Sequence, residues 1–222
     1  MNQLNYQKEL EKILDKITKD EMDGTDVQNG AANHPPRLFL HSCCAPCSSY
    51  CLEYLSTYFA ITVFYYNPNI SWEAEYLHRV EEQKRLIAAF NAKNCGHMIE
   101  IVEGDYQPEQ FFEMAKGYED VPEGGERCFR CFDLRLRETA RLAKEGQFDY
   151  FATTLTISPL KNAAKINEIG AGLAKEYGVK WLWSDFKKKN GYKRSIELSA
   201  EYDLYRQDYC GCAYSKAERE GK

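Results

Sequence analysis

Long apolar runs are missing from this chain. The best of them, Phe59 to Tyr66, falls well short of the roughly 18 residues that cross a bilayer, which excludes a helical membrane anchor. A basic excess is missing as well: 29 Lys and Arg stand against 34 Asp and Glu, a formal charge of −5 with a pI near 5.5. The summed field repels phosphate, so any nucleic-acid contact must come from a local basic patch. The opening residues MNQLNYQKELEKILDKITKD lack the apolar core and small-residue cleavage site of a secretory signal. Their Leu4, Leu10, Ile13, Leu14 and Ile17 instead recur at helical spacing and predict an amphipathic helix. Without a leader the expected location is the reducing cytoplasm, where cysteines serve as metal ligands or redox groups rather than structural disulfides. No internal repeat is visible. The proportions of 44% hydrophobic and 28% charged residues exclude disorder and leave an ordinary globular chain.

The segment DEMDGTDVQNGAANHPP is polar and rich in Gly, Asn and Pro, and reads as a linker. The expected organisation is therefore a helix and flexible linker over 1–36, then a single α/β domain over 37–222. Strand candidates are 37–41, 61–66, 98–102, 148–154 and 179–183, and helical spacing marks 46–57, 73–92, 128–145 and 160–177. Alternation of this kind predicts an α/β fold with a doubly wound, mostly parallel sheet, whose ligands sit at the carboxyl ends of the strands. The C-terminal stretch with KKKNGYKRS and YCGCAYS lies outside the alternation and reads as irregular.

Nine cysteines are the main chemical signal. HSCCAPCSS follows the first core strand, with Cys43, Cys44 and Cys47 at a helix start marked by Pro46. Free N–H groups there favour thiolate over thiol, which prepares the sulfurs for metal or for nucleophilic attack. ERCFRCFDLRL places Cys128 and Cys131 in a C-x-x-C pair at another helix start. Together the two segments supply the soft-ligand set that selects zinc or an iron–sulfur cluster, and the adjacency of Cys43 and Cys44 weighs against a structural zinc site. In YCGCAYS, a disulfide between Cys210 and Cys212 would close a small, easily reduced ring. A cycling dithiol there competes with two further metal ligands. Cys51 and Cys95 have no partner in sequence and read as core packing.

These blocks resemble the QueH-type epoxyqueuosine reductases. The resemblance rests on LHSCCAPCSS, YNPNI followed by EYLHR, GDY at 104–106, ERCFRCFDLRL, TTLTISPLKN and FKKKNGYKRSIELSAEYDLYRQDYCGCAYS; residues 1–36 stand outside it as a peripheral extension. It implies an ATP-pyrophosphatase-like, Rossmann-like fold and reduction of the epoxide of epoxyqueuosine in tRNA to give queuosine. It also implies a 4Fe-4S cluster on Cys43, Cys44, Cys128 and Cys131, a redox-active pair at Cys210 and Cys212, and an additional iron ion for which Cys47 and Asp133 are the candidates. No glycine-rich phosphate loop follows the first strand, so ATP dependence is not expected. The partners implied are a tRNA carrying epoxyqueuosine in its anticodon loop and an electron donor that the sequence does not identify.

Opening an epoxide to an alkene consumes two electrons and two protons and releases one water. Proton-donor candidates near the thiols in sequence are Asp133, Asp208 and Tyr209. TTLTISPLKN predicts a helix capped by Ser158 with Pro159 in its first turn, where Lys161 and Asn162 would meet a phosphate or the substrate hydroxyls. Asn67 and Asn69 face the same rim. Glu75 and Arg79, four apart, read as an exposed ion pair. For RNA, Lys187, Lys188, Lys189, Lys193 and Arg194 supply cations, and Phe186 and Tyr192 supply rings for unstacked bases. Arg130, Arg135, Arg137 and Arg141 divide between RNA contact and a solvated face. Two competing readings are a thiol–disulfide oxidoreductase built on CAPC, and a structural zinc protein that binds RNA without chemistry.

Overall fold

The computed structural model describes residues 4–23, 34–94 and 96–221, so most of the expected linker and Cys95 lie outside the described residues. One sheet contains β1 (Arg37–Ser42), β2 (Ala60–Tyr65), β3 (Ile99–Glu103), β4 (Tyr150–Thr153) and β5 (Lys180–Trp181), in the order β3-β2-β1-β4-β5. Every pairing is parallel; Leu38 stands opposite Ile61 on one side and Tyr150 on the other. The helices are α1 (Tyr6–Asp23), α2 (Ala45–Leu55), α3 (Glu73–Lys93), α4 (Pro108–Ala115), α5 (Glu126–Glu145), α6 (Ala163–Tyr177), α7 (Gly191–Glu201) and α8 (Ala213–Arg219).

The alternation along β1 explains the two covered faces. Leu38 and Leu40 enter a core with Leu10 and Leu14 of α1, Leu52 and Leu55 of α2, Leu86 of α3, and Phe186. Phe39, between them, enters a second core on the opposite face with Leu136 of α5, Ile166 and Leu173 of α6, and Trp181 of β5. Each such burial contributes about 1.5–3 kcal/mol over exposure. At Gly170 the backbone of α6 lies so close to Trp181 that a Cβ would collide with its ring. The doubly wound parallel architecture expected from the sequence is therefore observed, and α1 packs into its core.

Three elements differ from the expectation. The segment over 108–115 is the helix α4, and the C-terminal stretch read as irregular contains α7 and α8. The buried face of α7 is Gly191, Ser195, Leu198 and Ser199, small and mostly polar, so no apolar stripe announces it. Ser158 does not cap a helix. It closes a turn on the Leu160 N–H at 3.3 Å, and α6 begins later, capped by Asn162, whose side chain accepts from the Lys165 N–H at 3.0 Å.

The strand order reverses at β1, whose neighbours β2 and β4 lead to opposite halves of the sheet. Such a reversal opens a crevice beyond the carboxyl ends of the strands. Into it run the chain leaving β1 at Cys43 and the 3-10 turn Thr154–Ile157 leaving β4.

Candidate active site at the strand ends

Cys44 is the N-cap of α2, in extended backbone and with no side-chain capping bond, and Pro46 follows in the first turn. Residues at N-cap and N3 share a helix side, so Cys47 returns beside Cys44. The sulfurs of Cys43, Cys44 and Cys47 all lie within 4.8 Å of one another, with Cys43 Sγ 3.8 Å from Cys44 Sγ and 3.8 Å from the Thr154 hydroxyl. The thiols of Cys44 and Cys47 donate to Cys43 and hold it well below the ordinary thiol range. The hydrogen bond with Cys43 in turn pushes Cys44 up to about 12, and those with Cys43 and Cys44 push Cys47 well above its usual value.

Cys128 lies in the first turn of α5 and Cys131 one turn further on. They line a small cavity of about 20 Å³ with Cys210, Cys212, Asn69 and Arg135. Cys128 Sγ accepts from the Gly124 N–H at 3.2 Å, and Cys212 Sγ, at the N-cap of α8, accepts from the Ser215 N–H at 3.3 Å. Burial pushes Cys128 up, Cys131 to about 11 and Cys212 to about 12. Cys210 also lines a cavity of about 240 Å³ with Cys43, Cys44, Cys47, Lys161, Asp208 and Tyr209. It is the thiol common to both groups. Cys51 is fully buried in the core beneath α2, as expected.

The Cys210–Cys212 hairpin is anchored from outside itself. Gly211 has φ +120°, and its carbonyl accepts from the Ser71 N–H at 3.1 Å. The Cys210 carbonyl accepts from Arg79 Nη1 at 3.2 Å and from the Asn69 amide at 3.5 Å. Arg79 corrects the expectation of an exposed ion pair: it pairs with Glu75 at 2.7 Å but is only 1% exposed. The sequence signal is the i, i+4 spacing, which is the same on a buried helix face.

The largest fully buried side chains include Arg79, Arg127 and Arg135. Arg127 pairs with Glu218 at 3.0 Å. Arg135 is 0% exposed; its Nε donates to the Cys131 carbonyl at 3.1 Å, its Nη1 reaches Asn67 Oδ1 at 3.5 Å, and its Nη2 has no partner. Asn69 Oδ1, in the same cavity, is also unpartnered. A buried guanidinium without a carboxylate, facing thiols, fits a site whose sulfurs bind metal as thiolates. Arg135 thereby leaves the arginine stripe expected to face RNA or solvent, because burial depends on packing against distant segments. His41 is a further buried group, and no sequence signal marks it. Its ring bridges the Thr153 hydroxyl at 2.8 Å and the Tyr66 carbonyl at 3.1 Å, tying β1 to both flanks of the crevice.

Other expected residues divide. Asp208 and Tyr209 are at the larger thiol cavity, and Lys161 lines both it and a groove of about 730 Å³ shared with Asn162, Lys8, Lys187, Lys188 and Lys189. Asp133 is not brought to the thiols. It pairs with Arg137 at 3.3 Å and lines a different surface groove, because two residues along a helix from Cys131 is the opposite side. Phe186, at 1% exposure, belongs to the core and offers no ring to RNA. Lys193 approaches Glu197 at 3.9 Å, and Arg194 is held by Glu53, Glu197 and Glu201. Arg130, Arg137 and Arg141 pair with acids on the outer face.

No helix among the described residues is long and apolar enough to cross a membrane. Similarity to known proteins agrees with the site. A relative from Streptococcus pyogenes serotype M1, named epoxyqueuosine reductase QueH, is 49% identical over 180 residues, 81% of this chain and 70% of its own length. Relatives with the same name are 44% identical over 214 residues in Staphylococcus epidermidis (96% of this chain, 84% of the relative) and 35% identical over 191 residues in Thermotoga maritima (83% and 93%). The family model described as epoxyqueuosine reductase QueH matches residues 38–218, from β1 into α8. With every thiol group of the crevice inside that span, the chain belongs to the epoxyqueuosine reductase QueH family.

Proposed function

We propose that this chain is an oxidoreductase that reduces the epoxide of epoxyqueuosine in tRNA to the alkene of queuosine. The observation that carries the reading is the meeting of Cys43, Cys44 and Cys47 with Cys128, Cys131, Cys210 and Cys212 in two cavities that share Cys210. We assign Cys43, Cys44, Cys128 and Cys131 to a 4Fe-4S cluster, Cys47 to an additional iron ion, and Cys210 with Cys212 to the redox-active pair. A cluster bound there would supply electrons one at a time. Asp133 is left out of the ligand set because its carboxylate is engaged by Arg137.

The electron count supports the pair. Two C–O bonds of the epoxide break, one C=C bond gains its second component, and two electrons and two protons enter as one water leaves. Two thiols that become a disulfide release two electrons and two protons. Cys210 and Cys212 match that demand, and an external electron donor restores them. The Asp208 carboxyl and the Tyr209 phenol line the larger thiol cavity and are the groups placed to pass a proton to the leaving oxygen.

Recognition follows from the lysine groove. A base splayed from the anticodon loop into the thiol cavity leaves its flanking phosphates beside Lys161, Lys187, Lys188 and Lys189. Asn162 lines the same groove; Lys187 and Lys189 are paired with Asp185 and Glu11, and Lys193 and Arg194 with Glu197 and Glu53, so Lys161 and Lys188 carry the phosphate contact most directly. On this reading the protein is a cytoplasmic enzyme with one catalytic domain over 37–222 and an N-terminal helix and linker over 1–36.

The test is iron, zinc and acid-labile sulfide per chain on protein purified without oxygen, together with nucleoside mass spectrometry of epoxyqueuosine-containing tRNA after incubation with a reductant. Four irons and four sulfides, with more iron than sulfide where the additional ion binds, and appearance of queuosine are expected. Zinc without sulfide and unchanged tRNA overturn the reading in favour of a structural zinc protein.

A further inference from the structure

We propose that Arg135 is the fixed counter-charge of the thiolate set, a positioning residue that makes the bound centre easier to reduce. The inference rests on the reading of these thiols as metal ligands and adds a residue to it. Arg79 and Arg127, the other large buried cations, each have a carboxylate, Glu75 and Glu218. Arg135 has none, although it is the most completely enclosed of the set at 0% exposure. It is held by the Cys131 carbonyl and Asn67 Oδ1, and leaves Nη2 unpartnered. Asn67 is itself fixed, its amide donating to the Ser42 carbonyl at 2.8 Å.

A buried charge without a counter-ion is strongly unfavourable, so its retention requires an anion nearby. The groups that share its cavity are Cys128, Cys131, Cys210 and Cys212, all of them thiols that ligate metal as thiolates. The guanidinium is rooted in α5 at one turn from Cys131 and reaches through Asn67 to the end of β1, where Cys43 follows. It is therefore tied by hydrogen bonds to both ligand segments. A positive charge fixed in a low-dielectric pocket favours the more negative state of whatever the thiolates hold, which is the reduced one. The guanidinium cannot deprotonate, so this bias does not vary with pH.

The experiment compares wild type, Arg135→Lys and Arg135→Met. Each is assayed for iron and sulfide content, for midpoint potential by dye-mediated titration followed in the visible spectrum, and for thermal midpoint with and without metal. Arg135→Lys should keep metal and a potential near that of wild type. Loaded Arg135→Met should show a reduction constant at least tenfold lower, a fall of about 59 mV for one electron. Metal-free Arg135→Met should melt at or above the wild-type temperature, because an uncompensated charge is gone, and it should gain less from metal than wild type gains. An unchanged potential, or equal destabilisation of the metal-free and loaded forms, overturns the proposal and makes Arg135 a packing residue. If Arg135→Met takes up no iron, the metal-free melting decides: a lower midpoint than wild type overturns it. If wild type itself takes up zinc rather than a cluster, the reductase reading fails, and the counter-charge is judged by whether zinc stabilises Arg135→Met less than wild type; equal stabilisation overturns it.

Discussion

Arg79 Nη1 donates to the Cys210 carbonyl across 131 residues of sequence, at 3.2 Å, while its Nε donates to Glu75 Oε1 at 2.7 Å. The guanidinium fork joins α3 to the thiol hairpin and, with the Tyr209 ring 5.3 Å from its carbon, fixes the approach of Cys210 to the cavity. Lysine keeps the charge but cannot serve both acceptors in one plane. Arg79→Lys should therefore retain iron and sulfide yet lose turnover by up to about 100-fold, the scale of a misplaced reacting group. Arg79→Ala should lower stability by about 3–5 kcal/mol in urea titration, because Glu75 is left partly buried without its cation. Wild-type turnover in Arg79→Lys would remove Arg79 from hairpin positioning.

Gly211→Ala tests the hairpin from its other side. At φ +120° any Cβ is strained, and here it would stand 2.9 Å from Ile70 Cγ1. A cost of about 1–3 kcal/mol is expected from the backbone alone. Oxidised and reduced protein should both be less stable, and the Cys210–Cys212 couple should shift in a thiol–disulfide titration. A couple identical to that of wild type would show that the hairpin geometry does not set it.

Serine replacements separate the two thiol roles. Cys44→Ser and Cys131→Ser should lose cluster iron, sulfide and queuosine formation together. Cys210→Ser should keep the metal and lose turnover; a fully active Cys210→Ser enzyme would withdraw the redox assignment.

His41 predicts an acid sensitivity. Burial holds its imidazole down at about 3, against about 6.5 in an unfolded chain. Above pH 6.5 both states are neutral and the group contributes no pH dependence. Below it the unfolded chain binds a proton that the folded protein refuses, so stability falls as pH drops from about 6.5 to about 3, at up to ~1.4 kcal/mol per pH unit. Denaturant titrations of His41→Gln should show a shallower loss over that window than wild type. Equal slopes would show that the ring is not the group responsible.

Charge reversal tests the groove. Lys161→Glu and Lys188→Glu should weaken binding of an anticodon stem-loop by roughly tenfold and lower the salt slope by about 0.7 for each phosphate no longer neutralised. Lys193→Gln, already beside Glu197, should change binding little. Equal weakening in all three would point to the net charge of the protein rather than to the groove.

The sequence by itself determined the sheet and the position of the crevice. β1 alternates Leu38, Phe39 and Leu40 because both its faces are buried, and a strand that ends in HSCCAPC before a helix puts thiols at its carboxyl end whatever surrounds it. Local chemistry also marked Cys128, Cys131, Cys210 and Cys212, since ligand spacing and a glycine between cysteines are properties of neighbouring residues. Only the tertiary structure decided which charges are buried. Arg79 and Arg135 carry the same local pattern as the half-buried Arg137 and Arg141, and Asp133 is as near to Cys131 in sequence as any ligand, yet it lies on the far side of α5. The reason is physical: helical spacing fixes which residues share a face, but the partner of that face comes from segments distant in sequence. The stability of a charge depends on what that partner excludes and supplies.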